Sequence, residues 1–366
     1  MHTQDGPLRL LFVARAFPPT LGGMETLAER LSTAMRTQAD VTMLVNHRGK
    51  KALPAFLPYA VAAGVRLARR ERVQAIHLGD ALLAPVGLAL RKLTGLPVTS
   101  TVCGLDVTFP NRAYQAAIPR ALSKLDMTMP ISEATEAELH ARSGAGTPST
   151  VIPLGVNPLA RADDEAVLEL KRRAHVNGHS AILLTVGRLV ERKGVAWFVE
   201  HVLPRLQPDA LYLVVGEGKE AETIRAVAVR AGVSDRVRML GRVPSEVLAA
   251  AYRAADVFVM PNVPVAGDME GFGLVALEAA ASGLPVVASD LEGITAAVHH
   301  ERNGLLVPPR SADAYAETLC GLLSLPKGQR QHLGESFSDY TLRTYGWDSA
   351  ATRYLDVIRE VTLRRT

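Results

Sequence analysis

At 366 residues the chain is too long for one ordinary hydrophobic core, and it reads as two domains. Hydrophobic residues at 48% and charged residues at 21% describe a globular protein, and the uncharged apolar run "ALPAFLPYAVAAGV" (52–65) is too short to span a bilayer as a helix. Cys103 and Cys320 are too few for a disulfide framework and form no metal-ligand pattern. Together with an N-terminus that lacks a leader pattern, they predict a reducing, cytoplasmic setting.

The net charge of +4 is unevenly spread. Residues 1–160 hold 17 Lys/Arg against 11 Asp/Glu, so the first half faces an anionic partner more readily than the second.

In chain order, "LRLLFVA" (8–14), "VTMLV" (41–45), "QAIHLG" (74–79), "PVTSTV" (97–102), "MTMPIS" (127–132) and "TVIPLG" (150–155) read as buried strands. Helical patterns such as Met24–Arg36 and Ala81–Leu93 lie between several of them. The polar stretch 157–170 reads as a linker. The scheme then repeats with "AILLTVG" (181–187), "LYLVVGEG" (211–218), "VRMLG" (237–241), "VFVMP" (257–261), "PVVAS" (285–289) and "GLLVPP" (304–309). Short β-branched runs alternating with helices predict parallel sheets covered on both faces, hence two doubly wound α/β domains. Ligands of such sheets sit at the carboxyl ends of the strands, so motifs there carry the functional argument.

After the first strand, "FPPTLGGMETLAERL" puts Gly22 and Gly23 at the start of a helix, where an anion can approach backbone N–H groups; an ordinary strand-to-helix turn is the plain alternative. "TVGRLVERKG" (185–194) places Arg188 and Lys193 just past a strand end, which suits a diphosphate. In "GDMEGFGLVALEAAASG" (267–283), Gly271 and Gly273 precede a helix expected from about Leu274 to Ser282. Glu270 lies before that helix start and Glu278 about one turn inside it, so the two acids can touch different parts of one elongated ligand. Asp268 is open between capping the helix and an acceptor contact. In "TVCGLDVTF" (101–109) Asp106 can accept from a hydroxyl. Cys103 reads as a buried, inert thiol, with no helix N-terminus or histidine in view to activate it. "LPYAVAAGVRLARRERVQ" (57–74) sets apolar residues beside Arg66, Arg69, Arg70 and Arg72. It suits an anionic membrane surface or a solvated helix face equally.

With these residues in view, the chain resembles the retaining nucleotide-sugar glycosyltransferases of family 4 (glycosyl transferases group 1), of GT-B fold. The likeness rests on the E-x7-E pair Glu270 and Glu278, with "GGMETLAERL", "ISEAT", "VIPLGVN", "VGRLVERKG", "VGEG", "VRMLGRV" and "NGLLVPP" in family order. It covers nearly the whole chain and implies two Rossmann-like domains facing a cleft. Residues 1–158 form the acceptor-side domain and 159–344 the nucleotide-sugar domain, and a last helix within 345–366 returns to the first.

By the resemblance, Arg188 and Lys193 grip the donor diphosphate and Glu278 holds the ribose. Glu270 with Gly271, Phe272, Gly273 and Leu274 holds the donor sugar and phosphate. Gly241, Arg242 and Val243 lie near the base, and Gly22 and Gly23 approach from the first domain. The family commonly has His where this chain has Cys103, which puts the first domain's share of catalysis in question. Two fixed cations and a helix start can replace a divalent metal, and no DxD-type cluster is present beyond Asp268 and Glu270.

The expectation is a metal-independent hexosyltransferase without a cofactor, its donor a UDP- or GDP-linked hexose. Its acceptor is lipid-linked at the cytoplasmic membrane face, in envelope glycan or glycolipid synthesis. The rivals are a soluble transferase acting on a small metabolite and a non-catalytic sugar-nucleotide binder. A dehydrogenase lacks the G-x-G-x-x-G turn it would need. No nucleic-acid partner is expected.

Overall fold

In the computed structural model, residues 6–19, 22–158, 162–176 and 181–365 are described, and their alternating segments form two parallel sheets. The strands are β1 (Arg9–Ala14), β2 (Asp40–Val45), β3 (Ala75–Leu78), β4 (Val98–Val102) and β5 (Met127–Pro130), then β6 (Ala181–Val186), β7 (Ala210–Val215), β8 (Val237–Gly241), β9 (Val257–Met260), β10 (Val286–Ser289) and β11 (Leu305–Val307). The helices of the first series are α1 (Gly23–Arg36), α2 (Leu53–Arg70), α3 (Ala84–Thr94), α4 (Gly104–Thr108), α5 (Arg112–Leu122) and α6 (Glu133–Ser143). Next come α7 (Asp164–Arg173), α8 (Val195–His201), α9 (Ala221–Arg230), α10 (Ser245–Ala254), α11 (Leu274–Ala281) and α12 (Ile294–Ala297). The chain closes with α13 (Ala312–Ser324), α14 (Lys327–Tyr345) and α15 (Trp347–Leu363).

Two compact units result: residues up to Gly155 together with those from Tyr345 onward, and Val156–Thr344. The first sheet has the order β2-β1-β3-β4-β5 and the second β11-β10-β9-β6-β7-β8, with every pairing parallel. Chain progression across the sheet therefore reverses between β1 and β3 in one unit and between β6 and β9 in the other. β3, β4, β7, β9 and β10 are buried along their whole length, which is why β7 and β9 read as continuous apolar runs rather than alternating ones.

Helix α15 belongs to the first unit and packs along α1. Tyr354 on α15 lies edge-on to His77 of β3, with ring centroids 5.6 Å apart. His77 is fully buried between the hydroxyls of Thr99 (2.8 Å) and Thr101 (3.0 Å), and burial pushes its pKa down to about 3. This network ties the central strands to the C-terminal helix and keeps the imidazole neutral.

Two expectations fail here. Residues 150–155 make no strand. Thr150 and Ile152 donate backbone bonds to Thr128 and Pro130, but Pro130 has no N–H to donate back to Thr150, and the ladder stops there. The expected linker 157–170 is in its second half the helix α7, capped by Asp163, whose side chain accepts from Ala166 N at 2.7 Å; Leu159, Ala160 and Arg161 lie outside the described residues.

Candidate active site

The second sheet sets the carboxyl ends of β6 and β9 side by side at its reversal point, where doubly wound sheets hold ligands. The turn after β6 carries Arg188, Arg192 and Lys193, and the loop after β9 carries Asn262, Asp268 and Glu270. Val263 N donates to Arg192 O at 2.9 Å and joins the two segments. Gly194 has φ +65°, and a Cβ there would stand 1.9 Å from Pro261 O. Only glycine lets the turn lie directly on the strand end.

Three side chains converge on one carboxylate oxygen. Glu270 Oε2 accepts from Lys193 Nζ at 2.5 Å, from Asn262 Nδ2 at 3.0 Å and from an Arg192 Nη1. Arg192 Nε donates at the same time to Asp268 Oδ1 at 3.0 Å. Burial alone would raise the Glu270 pKa, but the charges of Lys193 and Arg192 overcome it and hold the carboxyl at about 2. Burial lowers the Lys193 pKa, Glu270 opposes that, and Arg192 adds to it. Glu270 Oε1 takes none of these bonds and is left as an acceptor.

A carboxylate can only accept, so Asn262 must turn its NH2 toward Glu270. Its Oδ1 is then buried with no hydrogen-bond partner among the described residues. The loop is pinned from behind as well. Glu270 N donates to Glu292 Oε2 at 2.5 Å and Gly293 N donates to Glu270 O at 3.0 Å.

Gly273, at φ +85°, ends this loop as the N-cap of α11. Phe272 is buried beside it, and Gly271 and Leu274 are partly exposed. Glu278 lies one turn inside α11, where the hydroxyl of Tyr252 donates to its Oε2 at 3.3 Å. Burial and the Glu278 charge together push the Tyr252 pKa well up. Arg188 is exposed, whereas Lys193 and Arg192 are buried, at 8% and 6% exposure. Gly241 closes β8 at φ +66°, followed by the exposed Arg242 and half-buried Val243, on the same edge of the sheet.

In the first unit the strand ends make a second cluster. Arg15, after β1, donates to Asp80, after β3, at 2.7 Å and lies 3.7 Å from Asp106. Asp106 Oδ2 accepts from Cys103 N at 3.1 Å, so Cys103 is the N-cap of α4. The expectation that no helix N-terminus adjoins Cys103 is thus corrected. The thiol is nonetheless pushed well up by burial and by the charges of Asp106 and Asp80, which keeps it protonated. Burial and Asp80 raise the Asp106 carboxyl to about 7 against the pull of Arg15. Gly22 is extended and Gly23 opens α1, and a Cβ on Gly23 would meet nothing within 4 Å.

The family model for glycosyl transferases group 1 matches residues 180–325, and that for glycosyltransferase family 4 matches residues 21–158, between them most of the chain. The chain belongs to the family 4 glycosyltransferases, group 1. It is 29% identical to a GDP-mannose-dependent alpha-(1-6)-phosphatidylinositol monomannoside mannosyltransferase of Mycobacterium tuberculosis, over 96% of this chain and 98% of the relative. It is 28% identical to a D-inositol 3-phosphate glycosyltransferase of Corynebacterium glutamicum, over 93% and 84% respectively. In fold it is similar to a sucrose-phosphate synthase of Thermosynechococcus elongatus (TM-score 0.78, 24% identity, 98% of this chain and 100% of that one). It is similar likewise to Anabaena HepE in complex with UDP and glucose (TM-score 0.76, 16% identity, 96% and 100%). These are GT-B structures, and this glycosyltransferase shares their two-domain α/β architecture.

The structure gathers Lys193, Glu270 and the start of α11 at one strand-end site, with Arg188 on its exposed side. Sequence reasoning overlooked Arg192, Asn262 and Glu292 there, and Arg15 and Asp80 in the first unit. Arg192 alone carried a local signal, since it adjoins Lys193 in the same turn. Asp268, left open between two roles, is the ion-pair partner of Arg192.

Proposed function

We propose that this glycosyltransferase moves a hexosyl group from a nucleotide diphosphate sugar to an acceptor hydroxyl with retention at the anomeric carbon and without a resident metal. The observation that carries the reading is the Glu270–Lys193 pair at the reversal point of the second sheet, beside the glycine-marked start of α11. Glu270 Oε1 accepts from a sugar hydroxyl. Lys193, Arg188 and the N–H groups of Gly273 and Leu274 stabilise charge that builds on the departing diphosphate. The bond from the anomeric carbon to the phosphate oxygen breaks as the bond to the acceptor oxygen forms on the same sugar face. The departing phosphate oxygen takes the acceptor proton, so no protein base is required.

Glu278, Gly241, Arg242 and Val243 bind the nucleoside in this reading. Gly22 and Gly23 serve ligand approach, and nothing in the surroundings of Gly23 otherwise demands glycine. Cys103 and Asp106 act as wall and cap, with no nucleophilic part for the thiol.

Donor choice is tested by thermal unfolding with UDP, GDP and their sugars, since a bound ligand raises the melting temperature. We expect GDP and GDP-mannose to stabilise most, in line with the donor named for the mycobacterial relative. The anomeric NMR signal of the first-formed product, with a chelator present, should match the donor's configuration. An inverted product, or activity abolished by the chelator and restored by a divalent ion, overturns the mechanism.

The proposed acceptor is lipid-linked, in envelope glycolipid synthesis, and the enzyme works as a peripheral protein at the cytoplasmic face. Helix α2 supports this. It carries no acidic residue, its Tyr59 is 60% exposed, and Arg66, Arg69 and Arg70 are exposed along its last turns. Among the described residues no helix is long and apolar enough to cross a membrane. Co-sedimentation should rise with the anionic lipid content of liposomes and fall with salt. Binding indifferent to both favours instead a small acceptor, as the name of the inositol phosphate relative suggests.

A further inference from the structure

The two buried cations of the site are not equivalent. Lys193 makes one ion pair, to Glu270, whereas Arg192 forks between Glu270 and Asp268. Both donate to the same oxygen of Glu270. Were Lys193 the sole counter-ion of that buried carboxylate, turning it toward a phosphate would leave Glu270 uncompensated, a costly arrangement inside a protein. Arg192 removes that cost. Its planar fork is fixed at one end by Asp268 and at the other by Glu270, and its backbone carbonyl is held by Val263 N at 2.9 Å. Asn262 supplies a third donor to the same oxygen at 3.0 Å.

From this geometry we infer that Arg192 is a positioning residue for Lys193: by keeping Glu270 paired, it lets the Lys193 ammonium be shared with the donor diphosphate. Arg192 touches neither sugar nor phosphate in this scheme. The Arg192–Asp268 pair is its anchor, which gives Asp268 a place in the site that neither helix capping nor acceptor contact provides. The inference rests on the proposed reading of Lys193 as a diphosphate ligand.

The test is calorimetric titration of the full chain with UDP and with GDP, which carry the diphosphate without the sugar. Arg192→Gln leaves Lys193 as the only cation on Glu270 and should weaken diphosphate binding about tenfold, within the usual range for coupled neighbours. Adding Glu270→Gln to that variant frees Lys193 and should restore much of the lost affinity, although it removes a second charged group. A merely structural role for Arg192 predicts the opposite, a further loss. Should Arg192→Gln fail to fold, Arg192→Lys takes its place, because an ammonium cannot bridge two carboxylates as a fork does; it too should weaken binding and be rescued by Glu270→Gln. Wild-type affinity in the Arg192 variant, or no rescue by Glu270→Gln, overturns the inference. If Lys193→Ala binds both diphosphates as tightly as the wild type, the reading of Lys193 itself has failed, a result distinct from either.

Discussion

Glu270→Gln should lower kcat/KM for sugar transfer by about 10²–10³-fold, the cost seen when one preorganised polar group of an active site is lost. The substitution keeps the side chain's shape and an oxygen that can face Lys193 and Asn262. What it removes is the charge. Glu270 is held near a pKa of 2, so it is fully ionised at any working pH and acts as a fixed acceptor rather than as a proton shuttle. With Gln in its place, Lys193 loses the charge that opposes the effect of burial, and in the unliganded site its pKa falls further until a bound diphosphate supplies negative charge in its stead. The sugar hydroxyl meets a neutral amide where a carboxylate oxygen stood. Measuring kcat and KM separately locates the effect. A loss shared by kcat and kcat/KM means the contact strengthens in the transition state, and a rise in KM alone means uniform binding. Near-wild-type values of both would remove Glu270 from the site.

The site was legible in the sequence where its parts are local. Glu270, Gly271–Leu274 and Glu278 sit on one strand-end loop and one helix, so spacing alone places them relative to each other. Arg188 and Lys193 share one turn for the same reason. Partners supplied by other strands carried no such signal. Glu292 follows β10 and reaches the backbone of Glu270 only because β10 pairs with β9. Asn262 shows its role only once the carboxylate it serves is folded against it. Arg15 and Asp80 meet because β1 pairs with β3. The failed strand at 150–155 has a physical cause of a different kind. Its β-branched and apolar residues fit an extended chain, and its segment does run along β5, but Pro130 of β5 cannot donate to it. Helix α7 was hidden by polarity: with Leu170 its one buried residue, its sequence resembles a solvated connection.

Lys193→Ala should be the more damaging of the two cation deletions, lowering kcat by about 10²–10³-fold where Arg188→Ala costs about tenfold. The reasoning is dielectric. Lys193 is 8% exposed and lies among buried groups, so water screens its attraction for a departing phosphate only weakly. Arg188 is exposed, and water competes with it for the same phosphate oxygens. Removal of Lys193 also strips one donor from Glu270, which then keeps Arg192 and Asn262 as partners. The carboxylate therefore stays compensated, and the variant should fold. Arginine is no remedy at this position. Lys193 is buried and shares one oxygen of Glu270 with Arg192, so a bulkier, planar guanidinium in its place overpacks the site and cannot reproduce the compact ammonium's single contact. Lys193→Arg should accordingly remain close to Lys193→Ala in kcat. Single-turnover measurements on the four proteins separate chemistry from product release. Equal losses in Lys193→Ala and Arg188→Ala, or a Lys193→Arg variant with near-normal turnover, would falsify the assignment of leaving-group stabilisation to the buried ammonium and shift it to the exposed rim of the site.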